Sequence, residues 1–204
     1  EAYPTQKIFN DFQKEKTVNG DFDPRMYASL IWNYPGATFY QHPFSYFSSP
    51  FGYSSMIKKY QNYWQPNESI GSSGASDFTS SNNERAMRYD NVLLMLAEAL
   101  TMQGKVTEAY PFVQQIRDRA HLSAMPSGYT QDQMMAEIRH QRELEFFRGG
   151  QRFYDLRRWG LLKQELTNSD KVGKENYTSP KYDLLPIPQS EINSNPKMVQ
   201  NPNW

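Results

Sequence analysis

Cysteine is absent from this 204-residue chain. That absence excludes both a disulfide framework and a thiolate metal site. Histidine is nearly as scarce, and His42, His121 and His140 are too scattered for a helical metal pair. No apolar run approaches the roughly 18 residues of a membrane-spanning helix. There is also no phosphate-cradling glycine-rich loop and no Gly-x-Ser-x-Gly turn. Net charge is lacking too. The 22 basic and 22 acidic side chains cancel, so the whole chain carries no electrostatic footprint for nucleic acid or an anionic membrane surface. No nucleic-acid partner, cofactor or metal is expected. The opening residues Glu-Ala-Tyr-Pro-Thr-Gln are neither a signal peptide nor a lipidated cysteine.

What is present is ordinary in bulk, with 38% hydrophobic and 22% charged residues, a balance typical of a folded protein. The distribution is not ordinary. Residues 1–83 hold 18 of the 30 aromatic residues, and from Met26 to Ile57 ten aromatics occur with no Asp, Glu, Lys or Arg. Pro35, Gly36, Pro43, Pro50 and Gly52 interrupt any periodicity there, which predicts loops and short elements packed on a scaffold. The polar run from Asn67 to Asn83 predicts the only internal boundary. Residues 1–83 thus read as an aromatic, loop-rich part and 84–204 as a helical part.

The second part is helical by its spacing. Ser81 with Glu84 is a capping box that would open a helix running to Gln103 before Gly104. Its centre, Val92 to Ala97, is apolar on every side, which predicts enclosure by other helices. Thr107 opens the next helix, with Pro111 expected in its first turn. Leu96, Ala97, Leu100, Gly104, Ala109, Val113 and Ile116 follow tetratricopeptide-repeat spacing, and such repeats need about three copies to bury their faces. The expectation is a fold completed by a segment upstream. Thr130 with Gln133 caps a third helix to Phe147, and a final one spans residues 151–166.

Arg139, Arg142, Arg148, Arg152, Arg157 and Arg158 form the strongest polar cluster, with Glu143, Glu145 and Asp155 among them. They could bind phosphate or an acidic sugar. The spacing Arg139 to Glu143 and Arg152 to Asp155 instead favours structural ion pairs along helices. Glu143 and Glu145, two apart on one helix, point to nearly opposite faces. They cannot flank one glycosidic bond, and no catalytic residue is assigned.

The last 23 residues, 182–204, carry Pro186, Pro188, Pro196 and Pro202 among Leu184, Leu185, Ile187, Ile192, Met198 and Val199. The prolines predict an extended tail without regular helix. This tail closely resembles the carboxyl-terminal signature of the SusD/RagB family. Arg88 to Leu100 is similar to that family's central helix, and Ile138 to Glu145 followed by Arg152 to Gly160 to its arginine-rich helix pair. Asp23-Pro24-Arg25 and Lys59-Tyr60 are weaker echoes. Departures fall at Gln141, Arg148 and Gly149. The resemblance implies a mainly α, tetratricopeptide-like scaffold with long aromatic loops and a proline-rich tail. It further implies a surface-exposed outer-membrane lipoprotein of Bacteroidetes, its lipid-bearing Cys upstream of residue 1, that binds glycan or another nutrient for a SusC-like TonB-dependent transporter.

Within that frame the uncharged aromatic segment is the candidate ligand surface. An aromatic face stacks on the apolar face of a pyranose while amides and hydroxyls bond its hydroxyl groups. Trp32 and Tyr34 flank Asn33, Tyr40 precedes Gln41, and Trp64 precedes Gln65, so these four rings are the ligand candidates. Two other readings stay open. One is a helical scaffold making only protein contacts, with its aromatics buried; the other is a peptide or other nutrient as ligand.

Overall fold

The computed structural model describes residues 3–48, 52, 54–61, 85–171, 173–178 and 181–204. Local hydrogen-bonding chemistry sets where the first elements begin. Thr5 opens α1 (Gln6–Asp11) by accepting from the Ile8 amide, and Asp23 opens α2 (Pro24–Ser29) by accepting from the Arg25 amide. Pro24 sits where a helix has no use for its missing donor. The chain then makes β1 (Leu30–Trp32), β2 (Thr38–Phe39), β3 (His42–Pro43), α3 (Phe44–Ser48) and β4 (Ser55–Ile57). β4 returns antiparallel to β1 with Leu30 opposite Ile57, and β2 pairs with β3 through a two-residue turn. Both turn residues, Tyr40 and Gln41, have positive φ, 48° and 62°, as the tight turn that matches strand twist demands.

The helical body follows as α4 (Tyr89–Met102), α5 (Val106–Arg119) and α6 (Gln131–Glu145), each packed on the other two. The Thr130 and Gln133 capping box forms in both directions. Ser81 and Glu84, expected to cap α4, lie outside the described residues; α4 starts at Tyr89 after an extended Arg88 without a side-chain cap. Gly104, at φ 77°, turns the chain so tightly that α5 begins at Val106. Pro111 therefore falls inside α5 rather than in its first turn.

The repeat spacing matches the packing. Ala97, Ala109, Val113 and Ile116 are buried in one cluster with Leu93, Leu94, Met134 and Ile138. The predicted enclosure of α4 holds for one side only. Leu94 is 0% exposed whereas Leu96 is 42% exposed, and Val92 and Met95 share its outward face. α5 and α6 cover the opposite face, so within this chain the outer stripe of α4 meets solvent. A second core joins the aromatic segment to the helical body, with Ile8, Phe12, Met26, Leu30 and Trp32 packed with Leu144.

Two compact units divide the chain, Glu1–Gly150 and Gln151–Trp204. In the second, the single helix expected over 151–166 is two, α7 (Arg152–Arg158) and α8 (Leu162–Thr167). Gly160, at φ 69°, breaks it, and the Leu161 amide closes back on the Leu156 carbonyl at 2.8 Å. The tail also departs from expectation. Pro188 and Asn195 bracket a short helix, α9 (Gln189–Ser194), because a proline at the N-cap removes no helical hydrogen bond. The rest of the tail is extended and closes on itself. Gln200 bonds both the amide and the carbonyl of Ile187, at 2.8 and 2.9 Å, and the Trp204 indole donates to the Lys181 and Leu184 carbonyls. Leu185, expected to be buried with Ile187, is 65% exposed, and Ile187 is half-buried.

Two measurements check this architecture. Leu94→Ala should cost about 2 to 5 kcal/mol in urea unfolding and Leu96→Ala well under half of that; equal losses would mean that the outer stripe of α4 is covered. Gln200→Ala should speed hydrogen exchange of the Ile187 amide at least tenfold and leave α4 amides unchanged.

Candidate functional site

The arginine-rich segment forms a structural network instead of an open anion site. Glu145, at the end of α6, is buried and meets Arg25 of α2 at 3.6 Å, Arg88 before α4 at 3.1 Å, and Arg119 at the end of α5. Its carbonyl accepts from Arg88 at 2.7 Å and from Lys59 at 2.9 Å. Arg25 also grips Asp23 through several hydrogen bonds and donates to Gln141 at 2.8 Å. Gln141, one of the departures from the family pattern, thus acts as a neutral acceptor and passes its own amide to Glu137. Glu143 takes Lys7 as a partner at 2.8 Å. In the second unit, Arg158 pairs with Asp155 at 3.0 Å and Arg152 with Glu165 at 3.2 Å. The roles of Lys7, Arg25, Arg88 and Arg119 come from partners far apart in sequence, so no local spacing announces them.

Burial sets the protonation of this network. It would raise Glu145, but hydrogen bonding from Asp90 and the charges of Arg119 and Arg25 outweigh it and hold the carboxyl at about 2. Asp90 is pushed the other way, to about 6, first by burial and then by its hydrogen bond to and repulsion from Glu145. Burial and the neighbouring Arg88 lower Lys59 to about 8. The signs decide a pH profile. Asp90 binds its proton more tightly folded than unfolded, so its contribution to stability falls as pH rises from 4 through 6. Glu145 contributes from pH 4.5 upward and loses that contribution as pH falls towards 2. Asp90→Asn should therefore flatten its share of the parent's stability change between pH 4 and 6; a variant keeping the whole change would place the titration elsewhere.

The ligand candidates fare differently from one another. Trp32 is 8% exposed and sits inside a five-ring cluster, with Tyr34 at 4.6 Å, Tyr27 at 5.0 Å, Phe9 at 5.9 Å and Phe22 at 6.2 Å. Tyr34 is half-buried at the edge of that cluster. Tyr40 is 9% exposed, packs on Phe39 at 4.5 Å and donates its hydroxyl to Gln61 at 3.0 Å. Trp64 lies outside the described residues. Tyr46, which sequence reasoning passed over, is 60% exposed and stacks flat on His42 at 4.2 Å.

A concave site lies beside the cluster. A cavity of about 360 Å³ is lined by Thr17, Asn19, Asp21, Phe22 and Tyr27, with His121 from the turn after α5. Its floor is fixed by Thr17, whose amide donates to the Asp21 carbonyl at 2.9 Å while its hydroxyl accepts from the Asp21 amide at 3.1 Å. The Val18 amide reaches the His121 carbonyl at 2.9 Å, which ties the loop to α5. Phe22 and Tyr27 both pack on Trp32, so the predicted rings Trp32 and Tyr34 support the cavity wall from behind. None of Thr17, Asn19, Asp21, Phe22 or Tyr27 was singled out from sequence, and His121 was weighed only as a metal ligand; packing on Trp32 and the Val18 bond to His121 bring them together.

Among the described residues no three His, Asp or Glu side chains are grouped as a metal ion would require, and no helix is long and apolar enough to cross a membrane. The SusD family model matches residues 1–204 throughout. The chain belongs to the SusD family. A SusD superfamily protein of Bacteroides vulgatus is 40% identical, and its structure superposes with a TM-score of 0.88 over 100% of this chain and 44% of that one. SusD-like protein P2 of Formosa agariphila is 27% identical over 98% of this chain and 39% of its own length. A SusD-like carbohydrate binding protein of Bacteroides fragilis, 18% identical with a TM-score of 0.65 over 96% of this chain and 50% of that one, shares the fold. The chain therefore spans less than half the length of the first two relatives. Its helical scaffold is the tetratricopeptide-like one of the SusD superfamily.

Proposed function

We propose that this protein binds oligosaccharide without turning it over, at the surface of the outer membrane, and passes it to a SusC-like TonB-dependent transporter. Membership of the SusD family, a carbohydrate-binding family, carries this reading. The geometry is compatible with it. Glu145 is committed to Arg25, Arg88 and Arg119, and Glu143 to Lys7, so these two carboxylates of α6 are held by cations. Aromatic rings with polar neighbours gather in residues 1–83, the part assigned to ligand binding, while residues 84–204 supply the scaffold.

The outward stripe of α4 favours a second reading for that face, as a surface for protein contact. It does not compete for the same residues.

The test is titration of the purified protein with neutral, amino and acidic oligosaccharides alongside an unrelated peptide set, with product analysis of each mixture. Binding of a glycan with no cleavage is expected. Binding of peptides alone, or hydrolysis abolished by one Glu or Asp change, would contradict the reading. Alanine variants of Trp32, Tyr34, Tyr40 and Trp64 divide contact from support. Trp64→Ala, and Tyr34→Ala if its half-buried ring also meets ligand at the cluster's edge, should lose roughly 1 to 3 kcal/mol of affinity if stacking on sugar resembles stacking on a base. Trp32→Ala and Tyr40→Ala should cost about 3 to 5 kcal/mol of stability.

A further inference from the structure

The cavity beside α2 takes no part in the Glu145 network, and its lining does not match the needs of the core. A core wall is apolar; this one combines Asp21, Asn19 and His121 with the aromatic residues Phe22 and Tyr27. We propose that it is a subsite for a single sugar ring of the glycan, with Asp21 selecting neutral or amino-substituted rings over uronate or sulfated ones. This rests on the glycan-binding reading above and adds where the ring sits and what charge it carries.

Size comes first. Sites for small organic ligands span about 300 to 1,000 Å³, and about 360 Å³ lies at the lower end. That suits one ring of a chain whose remainder lies outside.

Rigidity comes second. A ring platform binds well when it loses little freedom on binding. Phe22 is held edge-on to Trp32, Tyr27 lies between Trp32 and Tyr34, and Trp32 itself is buried. The polar wall is equally fixed. Residues 17–21 form a tight loop turned by Gly20 at φ 85°, held by the Thr17 hydrogen bonds and pinned to the His121 carbonyl. His121 is itself left-handed, at φ 55°, a conformation that surrounding structure must enforce and that collects at ligand sites.

Chemistry comes third. Asp21 is exposed, and a carboxylate can accept from two adjacent hydroxyls at once, while an amide such as Asn19 both donates and accepts. Asp21 supplies the only carboxylate in this lining. Lys16, five residues earlier, lies over the Phe22 ring, 3.2 Å from its centre, and is not itself a lining residue. A uronate or sulfate group would therefore meet a like charge.

The experiment titrates the purified protein, Asp21→Asn and Asn19→Ala with six hexasaccharides: of glucose in α and β linkage, of mannose, of xylose, of glucosamine and of galacturonic acid. Melting temperature is recorded for each protein. Asp21 is exposed and its replacement keeps its shape, so Asp21→Asn should melt like the parent. It should lose roughly ten- to a hundredfold affinity for the parent's best neutral or amino ligand, as expected for losing charge-assisted hydrogen bonds. If the parent binds a hexasaccharide and both variants bind it equally well, the subsite is elsewhere and this inference fails while the glycan reading stands. Tightest binding of the galacturonate chain overturns the charge selection. If the parent binds none of the six, the glycan reading falls and this inference with it.

Discussion

One buried carboxylate ties together three distant parts of the first unit. Glu145 ends α6, yet its partners come from α2, from the residue before α4 and from the end of α5. A carboxylate taken from water loses several kcal/mol of hydration, which only close and well-aligned cations restore. Here three arginines converge on one side-chain group, and Arg88 again, together with Lys59, holds its carbonyl. Each cation thereby fixes the element that carries it. The helical body and the aromatic segment are locked in one arrangement by the same group.

The consequence for binding is positional. Arg25 belongs to the helix that also carries Tyr27, and Asp23, its close partner, follows Phe22 directly in the chain. Holding Arg25 against Glu145 and Gln141 therefore holds the cavity wall. The hydrophobic contact of Leu144 with Met26, Leu30 and Trp32 acts over the same joint. Polar pairing sets the register and apolar packing supplies most of the stabilisation.

Much of this was legible in the residues. The cap at Thr130, the helical body and the repeat spacing of Ala97, Ala109, Val113 and Ile116 followed from periodicity, since local spacing and local hydrogen bonding determine them, while the family followed from the resemblance of the ordered motifs. Gly160 hid the break between α7 and α8, because one glycine inside an apolar rhythm reads as tolerated until its φ is known. Pro188 hid α9 for the opposite reason: prolines seen as breakers also start helices. The hub at Glu145 was not legible, as its cations lie 26 to 120 residues away in sequence. The cavity was missed for a related reason. Thr17, Asp21 and His121 are unremarkable polar residues until the loop and the end of α5 meet, whereas conspicuous rings such as Trp32 drew attention because large apolar side chains mark both cores and platforms.

The most direct test of the central claim is hydrogen exchange on Glu145→Gln, which keeps the shape of the side chain and removes its charge. Uncompensated arginines in a half-buried joint should cost roughly 3 to 5 kcal/mol. The expected result is faster exchange together in residues 23–32, around Tyr89–Met102 and along Gln131–Glu145, with the tail around Ile187 unchanged. Loss of protection in α6 alone, with residues 23–32 exchanging as in the parent, would show that the aromatic segment is held by something other than this carboxylate.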